Sequence, residues 1–136
     1  MIETVSGIIT ALVIIILSRV LSKYFSVQLF ATAILVAIAF IYVGFSLKNN
    51  PAELTVLEIM FALALSFFAI IGFTHNSNWI AYGIIIHGLW DIFHHNGFII
   101  ETDVPAYWPV FCIVIDIITG VYFLYVFNNQ KNKSWV

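Results

Sequence analysis

The sequence has 136 residues, of which 62% are hydrophobic and only 9% are charged, and its mean hydropathy is +1.06. A soluble domain has about 45–50% apolar residues and a surface with roughly a quarter or more of charged residues. This composition therefore excludes a soluble globule and indicates a small membrane protein. Five Lys and Arg against seven Asp and Glu give a net charge of −2, which excludes the basic surface that nucleic acid requires. The single cysteine, Cys112, excludes a disulfide framework within one chain.

Five apolar segments approach the length of about 20 residues that an α-helix needs to cross a membrane. They are too long for strands and lack alternation with period two, and backbone groups in lipid must be satisfied within their own segment. We therefore predict an all-α, multi-pass membrane bundle that forms one domain over residues 1–136. In chain order, the five predicted transmembrane helices cover residues 5–21, 28–47, 54–73, 79–100 and 105–127.

The positions of the basic residues predict the orientation of the bundle. Arg19 and Lys23 follow the first segment, and Lys131 and Lys133 follow the last one. Basic residues are enriched in cytoplasmic loops, so both regions are expected in the cytoplasm, with Lys48 as the exception. The sequence thus predicts a protein of the plasma (inner) membrane with its N-terminus outside and its C-terminus in the cytoplasm.

Ionisable residues are concentrated in the fourth predicted helix, within nine consecutive positions. They are His87, Asp91, His94 and His95. At about 100° per residue, their side chains fall within one arc of the helix. Glu58 in the third predicted helix and Asp116 in the fifth are each alone in an apolar segment. An ionisable group inside a membrane costs at least a few kcal/mol, so such residues usually face the bundle interior and mark a functional site.

The alternating direction of the helices brings these residues to one level. Glu58 lies about one turn in from the external end of its helix, and Asp116 lies at a depth close to that of His87 when counted at about 1.5 Å per residue. We therefore expect all six ionisable side chains to meet in the external half of the bundle.

Several neighbours of this cluster have more than one interpretation. Tyr42 either lines the site or anchors its helix at the interface, and Cys112 is either a site neighbour or an inert buried thiol. Trp90 is interpreted as a packing residue. Small residues permit close contacts between membrane helices, and we predict such contacts at Gly83, Gly88 and Gly120.

Imidazole and carboxylate groups are typical ligands of Zn²⁺ and non-haem iron. We predict a site for a divalent metal, with zinc favoured, whose candidate ligands are His87, Asp91, His94, His95, Asp116 and Glu58. In each of the pairs His87/Asp91 and Asp91/His95, which are spaced by four residues, either both side chains bind one ion or the carboxylate orients the imidazole. Glu58 is either a bridging ligand or a general base for a metal-bound water. The alternative is a purely structural network of buried ion pairs, and this alternative applies most to His95, which lies nearest the interface.

The residue pattern also carries a family resemblance. The pattern is His87-x-x-Trp90-Asp91-x-x-His94-His95, followed by Trp108-Pro109, Cys112, Asp116, Gly120 and Tyr122. It resembles a small family of bacterial integral membrane proteins of unknown function, which implies a compact multi-helix membrane protein and no particular activity. Membrane ceramidase-like hydrolases are similar in chemistry but have seven helices and more widely spaced histidines. Membrane desaturases share a close histidine pair but use eight or more histidines, against four in this chain.

Three functions fit the predicted site to different degrees. In the first, a metal-bound water attacks an ester or amide of a lipid or other amphipathic substrate, with Glu58 or Asp116 as catalytic base. In the second, the same polar cluster translocates protons or metal ions, which needs a polar path to the cytoplasm or a homo-oligomer that completes a pore. The third, a haem held by His87, is least favoured because axial histidines come from facing helices. In each case the lipid bilayer is the surrounding partner.

Overall fold

The computed structural model describes residues 1–100 and 103–133, which contain six α-helices. In chain order the helices are α1 (Ile2–Leu21), α2 (Val27–Ala39), α3 (Ile41–Asn49), α4 (Ala52–Thr74), α5 (Asn78–His94) and α6 (Trp108–Lys133). There is no strand in the described residues, so the prediction of an all-α bundle is confirmed.

Four segments of the described chain are long and apolar enough to cross a membrane. They are Ile2–Leu21, Val27–Lys48, Ala52–Thr74 and Trp108–Gln130, and the second combines α2 with most of α3. Their outer faces carry large apolar side chains such as Ile16, Met60 and Phe67, which are each about 60% exposed. Lipid is the environment in which such a surface is stable. The chain is therefore a multi-pass membrane protein.

The helix α5 is shorter than each of these four segments, and a larger share of its residues is buried. Its 17 residues span about 26 Å at 1.5 Å per residue, and the helix packs against α6, α4 and α2. Its buried face comprises Ile80, Ala81, Gly83, Ile84, His87, Gly88, Asp91 and His94. A Cβ atom at Gly83 would lie 2.7 Å from Leu35 Cδ2, and one at Gly120 would lie 2.5 Å from Ile85 Cγ1. The predicted close contacts at these glycines are thus confirmed.

The helices alternate in direction, which gives the bundle two distinct ends. We call them the Met1 end, where α4 and α6 begin and α3 and α5 end, and the Leu21 end. At the Met1 end, Met1, His95 and Tyr107 line one surface cavity. At the Leu21 end, Gln28 Nε2 donates hydrogen bonds to the carbonyls of Gly72 and Phe73 at 3.0 and 2.9 Å. The cavity shows that the N-terminus lies beside the end of α5 and the start of α6, and the hydrogen bonds join the start of α2 to the end of α4.

The second predicted helix, 28–47, is two helices because the chain breaks at Phe40. This residue has φ −96° and ψ 0°, and its N–H bonds to the carbonyl of Ile38. In an unbroken α-helix that carbonyl would accept the N–H of Tyr42 instead. No proline or glycine stands at the break, although these residues are the usual local causes of a kink. The cause must therefore lie in the surrounding tertiary structure.

The fourth predicted helix ends at His94 rather than at residue 100. A short 3₁₀ turn, His95–Gly97, follows, and Asn96 and Gly97 have positive φ values of 53° and 66°. The N–H groups of Ile99 and Ile100 then bond back to the Phe93 carbonyl at 3.1 and 3.0 Å. Asn and Gly are the residues that most readily adopt the left-handed conformation that ends a helix. Asn96 and Gly97 therefore indicate the end of the helix in the sequence. Hydropathy alone predicted a longer helix, because apolar residues continue to residue 100.

The other boundaries differ by less, except at the C-terminus of α6. The fifth predicted helix, 105–127, begins at Trp108 and continues to Lys133. Pro109 lies in its first turn, where the missing N–H costs no hydrogen bond. The first and third predicted helices correspond to α1 and α4, which begin slightly earlier than 5 and 54.

Candidate metal centre

Three buried side chains from two helices form the centre of the site: His87 and Asp91 on α5, and Asp116 on α6. His87 Nδ1 lies 2.7 Å from Asp116 Oδ2 and 3.8 Å from Asp91 Oδ2, and no side chain of the three is more than 3% exposed. Each residue offers one ligand atom, and these atoms all lie within 4.8 Å of one another. We call this group the His87 triad.

The local sequence explains how the triad assembles. His87 and Asp91 are four residues apart, so both side chains lie on the same face of α5. Between them, Gly88 allows α6 to approach, because a Cβ atom at this position would lie only 2.9 Å from Asp116 Cβ. The close contact predicted at Gly88 is therefore also what brings the third member of the triad within reach of His87.

The triad could hold a divalent metal ion. Two carboxylates and one imidazole are removed from water, and Asp91 Oδ2 has no hydrogen-bond partner among the described residues. Zinc bonds of about 2.0–2.2 Å place tetrahedral ligands about 3.4 Å apart. The 3.8 Å separation of His87 and Asp91 is close to this value, and the 2.7 Å separation from Asp116 would have to widen by about 0.7 Å. A divalent ion would also balance the charge of both carboxylates.

A second buried group adjoins the triad and centres on Glu58 of α4. Glu58 Oε1 lies 3.1 Å from His94 Nε2, and Glu58 Oε2 accepts a hydrogen bond from Trp90 Nε1 at 3.2 Å. The Trp90 ring stacks on Phe61 with centroids 4.1 Å apart. The interpretation of Trp90 as packing was thus incomplete: its indole N–H also fixes one oxygen of Glu58. A tyrosine or tryptophan that is partly buried usually finds such a partner, which is the signal that the sequence offered.

Tyr42, near the start of α3, joins the two groups. Its hydroxyl donates a hydrogen bond of 2.5 Å to Asp91 Oδ1, and its ring stacks on His94 with centroids 4.1 Å apart and planes at 16°. The side chain is 2% exposed, so Tyr42 lines the site and is not an interfacial anchor. The thiol of Cys112 is buried, one turn before Asp116 on α6.

Of the six predicted site residues, the structure gathers five and places one elsewhere. His87, Asp91 and Asp116 form the triad, and Glu58 and His94 form the adjoining pair. His95 is the C-terminal capping residue of α5, with an extended ψ of 115°, and its Nε2 contacts the side-chain amide of Asn96 at 3.2 Å. The prediction placed His95 on the polar face by assuming a helical rotation of about 100° per residue. This rotation does not apply to His95, because α5 ends at His94. His95 instead lines the surface cavity at the Met1 end.

Comparisons with known proteins identify the family of the chain. No curated protein and no solved structure matches it significantly. A family model matches residues 2–130, which is nearly the whole described chain. This match agrees with the resemblance to an uncharacterised family. The chain belongs to DUF6010, which is described as a family of unknown function.

Proposed function

We propose that the protein is a membrane-embedded, zinc-dependent hydrolase that acts on a lipid or another amphipathic substrate. The observation that carries the proposal is the His87 triad, in which one imidazole and two carboxylates offer ligand atoms within 4.8 Å of one another in a buried site. Ionisable groups at such depth are expensive in a membrane unless they serve a function or neutralise a bound ion. A structural ion-pair network would not need a carboxylate oxygen without a hydrogen-bond partner, as Asp91 Oδ2 is.

In this proposal the two buried groups have different tasks. His87, Asp91 and Asp116 would hold the ion, which would supply an activated water and polarise the bond to be cleaved. Glu58 lies outside the triad and is assigned as the general base, because its two oxygens face His94 and Trp90. Asp116 was the other candidate base, but its Oδ2 faces His87 Nδ1 at 2.7 Å, which suits a ligand better.

The location of the site favours an amphipathic substrate. The triad and Glu58 lie in the half of the bundle nearer the Met1 end, between helices whose outer faces are apolar. The positive-inside rule places the Met1 end outside the plasma membrane. A substrate in the external leaflet would therefore present its polar group at about the level of the site. A homo-oligomer is compatible with this arrangement but is not needed to complete the triad.

The decisive experiment measures metal and activity in one preparation. The purified protein in detergent is expected to contain zinc by elemental analysis and to hydrolyse a fluorogenic fatty-acid ester or N-acyl amide in mixed micelles, with the activity lost on chelation. His87→Ala is expected to remove both the metal and the activity. His75→Ala is the matched control, because His75 is exposed and lies at the Leu21 end. A wild-type protein without metal, or an unchanged metal content in His87→Ala, would refute the proposal.

One observation favours a second candidate, the translocation of protons or metal ions. The titratable groups are almost completely buried and follow one another in contact, from Asp116 through His87 and Asp91 to Tyr42. Such chains are typical of proton relays in membrane proteins. Proton or Zn²⁺ flux into vesicles that contain the protein, abolished in Asp91→Asn, would support this candidate. Vesicles that stay tight to both ions would leave hydrolysis as the better proposal.

A further inference from the structure

Among the described residues, Tyr42 is the largest side chain that is fully buried. It contacts Asp91 of the His87 triad and His94 of the adjoining pair. Its hydroxyl hydrogen bond to Asp91 Oδ1, at 2.5 Å, leaves Oδ2 as the other oxygen of that carboxylate. Oδ2 is the atom that faces His87 Nδ1 at 3.8 Å. The two oxygens of Asp91 therefore differ: Oδ1 is hydrogen-bonded to Tyr42, and Oδ2 is directed towards His87.

The break between α2 and α3 places Tyr42 in this position. Phe40 has φ −96° and ψ 0°, and α3 begins at the next residue. Tyr42 is the second residue of the new helix, so the break sets its direction.

A hydrogen bond to one carboxylate oxygen uses one of its two lone pairs and makes that oxygen a weaker metal ligand, so it favours binding through the other oxygen. Zinc sites are mostly four-coordinate and accept such single-oxygen ligands. Calcium takes six to eight oxygens and often binds both oxygens of a carboxylate, and manganese prefers octahedral oxygen ligands. The contact between Tyr42 and Asp91 thus bears on which ion the site selects.

We propose that Tyr42 is a specificity-determining residue of the metal site, which biases Asp91 towards binding through Oδ2 alone and so favours Zn²⁺ over Mn²⁺. This inference rests on the part of the proposed function that assigns a metal ion to the His87 triad, and it is independent of the reaction. Tyr42 acts through Asp91 and is a positioning residue rather than a ligand.

The test compares Tyr42→Phe with Tyr122→Phe. Each substitution removes one tyrosine hydroxyl and its hydrogen bond, but Tyr122 bonds to Ser18 at 3.0 Å, in the half of the bundle nearer the Leu21 end. Dissociation constants for Zn²⁺ and Mn²⁺ are measured on metal-free protein in detergent. Loss of a group that orients a ligand typically weakens metal binding about 10–100-fold. We expect Tyr42→Phe to weaken Zn²⁺ binding by that factor and Mn²⁺ binding far less, and Tyr122→Phe to change neither.

The visible spectrum of the Co²⁺-loaded protein gives a second readout that a merely structural role would not change. A freed Asp91 that binds through both oxygens raises the coordination number, so the intense bands of four-coordinate Co²⁺ should weaken in Tyr42→Phe and persist in Tyr122→Phe. Unchanged zinc selectivity and an unchanged Co²⁺ spectrum in a Tyr42→Phe protein would overturn the inference and leave the proposed function intact. A wild-type protein that binds no metal would overturn both.

A labelling experiment covers the case in which Tyr42→Phe does not fold. The wild-type sequence contains six tyrosines, so protein made with 3-fluorotyrosine is expected to give six ¹⁹F resonances. The other five are assigned by their own substitutions to Phe, and the sixth belongs to Tyr42. Addition of Zn²⁺ should shift the Tyr42 resonance and leave that of Tyr122 in place. A Tyr42 resonance that does not respond to bound Zn²⁺ would contradict the inference.

Discussion

The two halves of the bundle are built on opposite principles, although α5 and α6 run through both. The half nearer the Leu21 end has a core of apolar side chains packed around small residues, and the described members at its centre include Leu35, Leu65, Ile80, Phe123 and Phe127. In the half nearer the Met1 end, the same two helices bury His87, Asp91 and Asp116. One half is thus expected to determine stability, and the other to determine ion binding and chemistry.

This difference shows how a small chain accommodates an expensive site. Packing between membrane helices depends on close contact, which the apolar half provides through alanines and glycines. The polar half pairs some of its buried groups by hydrogen bonds, as in Tyr42 with Asp91 and His87 with Asp116, and leaves Asp91 Oδ2 without one among the described residues. Mutations in the apolar half should therefore lower stability and leave metal binding intact. Mutations in the polar half should weaken metal binding and leave stability nearly unchanged.

The largest effect is expected for Glu58→Gln on hydrolysis. This change keeps the volume of the side chain but removes the proposed general base, a loss that typically lowers the rate by about 10²–10⁴-fold. The metal content should stay at the wild-type level, as measured by elemental analysis beside the micellar assay. Glu53→Gln, in the exposed first turn of the same helix, is the control. Loss of metal in Glu58→Gln would instead make Glu58 a ligand.

Phe123→Ala tests the apolar half. Phe123 is fully buried and stacks near Phe127 with centroids 6.0 Å apart. Removing a buried phenylalanine ring typically costs about 3–5 kcal/mol, and we expect a loss of this size in the free energy of unfolding, measured by denaturant titration in micelles. Tyr125→Ala on the lipid-facing side of α6, where Tyr125 is 65% exposed, should cost far less. Zinc bound per folded molecule should not change in either variant. A drop in zinc content with Phe123→Ala would show that the halves are coupled.

Gly88→Ala tests the point where packing and the site meet. The added methyl group would lie 2.9 Å from Asp116 Cβ, so α5 and α6 must separate. Overpacking of this kind costs about 1–3 kcal/mol, and the displaced Asp116 should also weaken zinc binding, measured by competition with a chromophoric chelator. Gly44→Ala is a close control, because nothing lies within 4 Å of a Cβ atom there and alanine is a better helix former than glycine. Equal zinc affinities in the two variants would contradict the role given to Gly88.

Much of this architecture follows from the sequence, and the exceptions have physical causes. Apolar run length predicted the four segments that can cross a membrane, whereas the fifth predicted one, 79–100, forms the shorter helix α5. The cost of buried charge predicted that Glu58, His87, Asp91 and Asp116 would converge. The end of α5 was missed because the apolar residues continue past Asn96 and Gly97, although the backbone at these two residues is no longer helical. The break at Phe40 was not predicted, because no proline or glycine marks it in the sequence. The pairing of Tyr42 with Asp91 depends in turn on that break.

The smallest effect is expected for His95→Ala, which separates the two adjacent histidines. Sequence spacing alone makes His94 and His95 equivalent candidates, but only His94 pairs with Glu58, at 3.1 Å. His95 lies beyond the end of α5 beside a surface cavity, so its removal should leave zinc affinity and the hydrolysis rate nearly unchanged. His94→Ala should keep the metal but slow hydrolysis, because Glu58 loses the imidazole that holds it. Both quantities are measured in the same micellar preparation. A loss of zinc in His95→Ala would mean that the turn after α5 folds back onto the triad in the metal-bound protein.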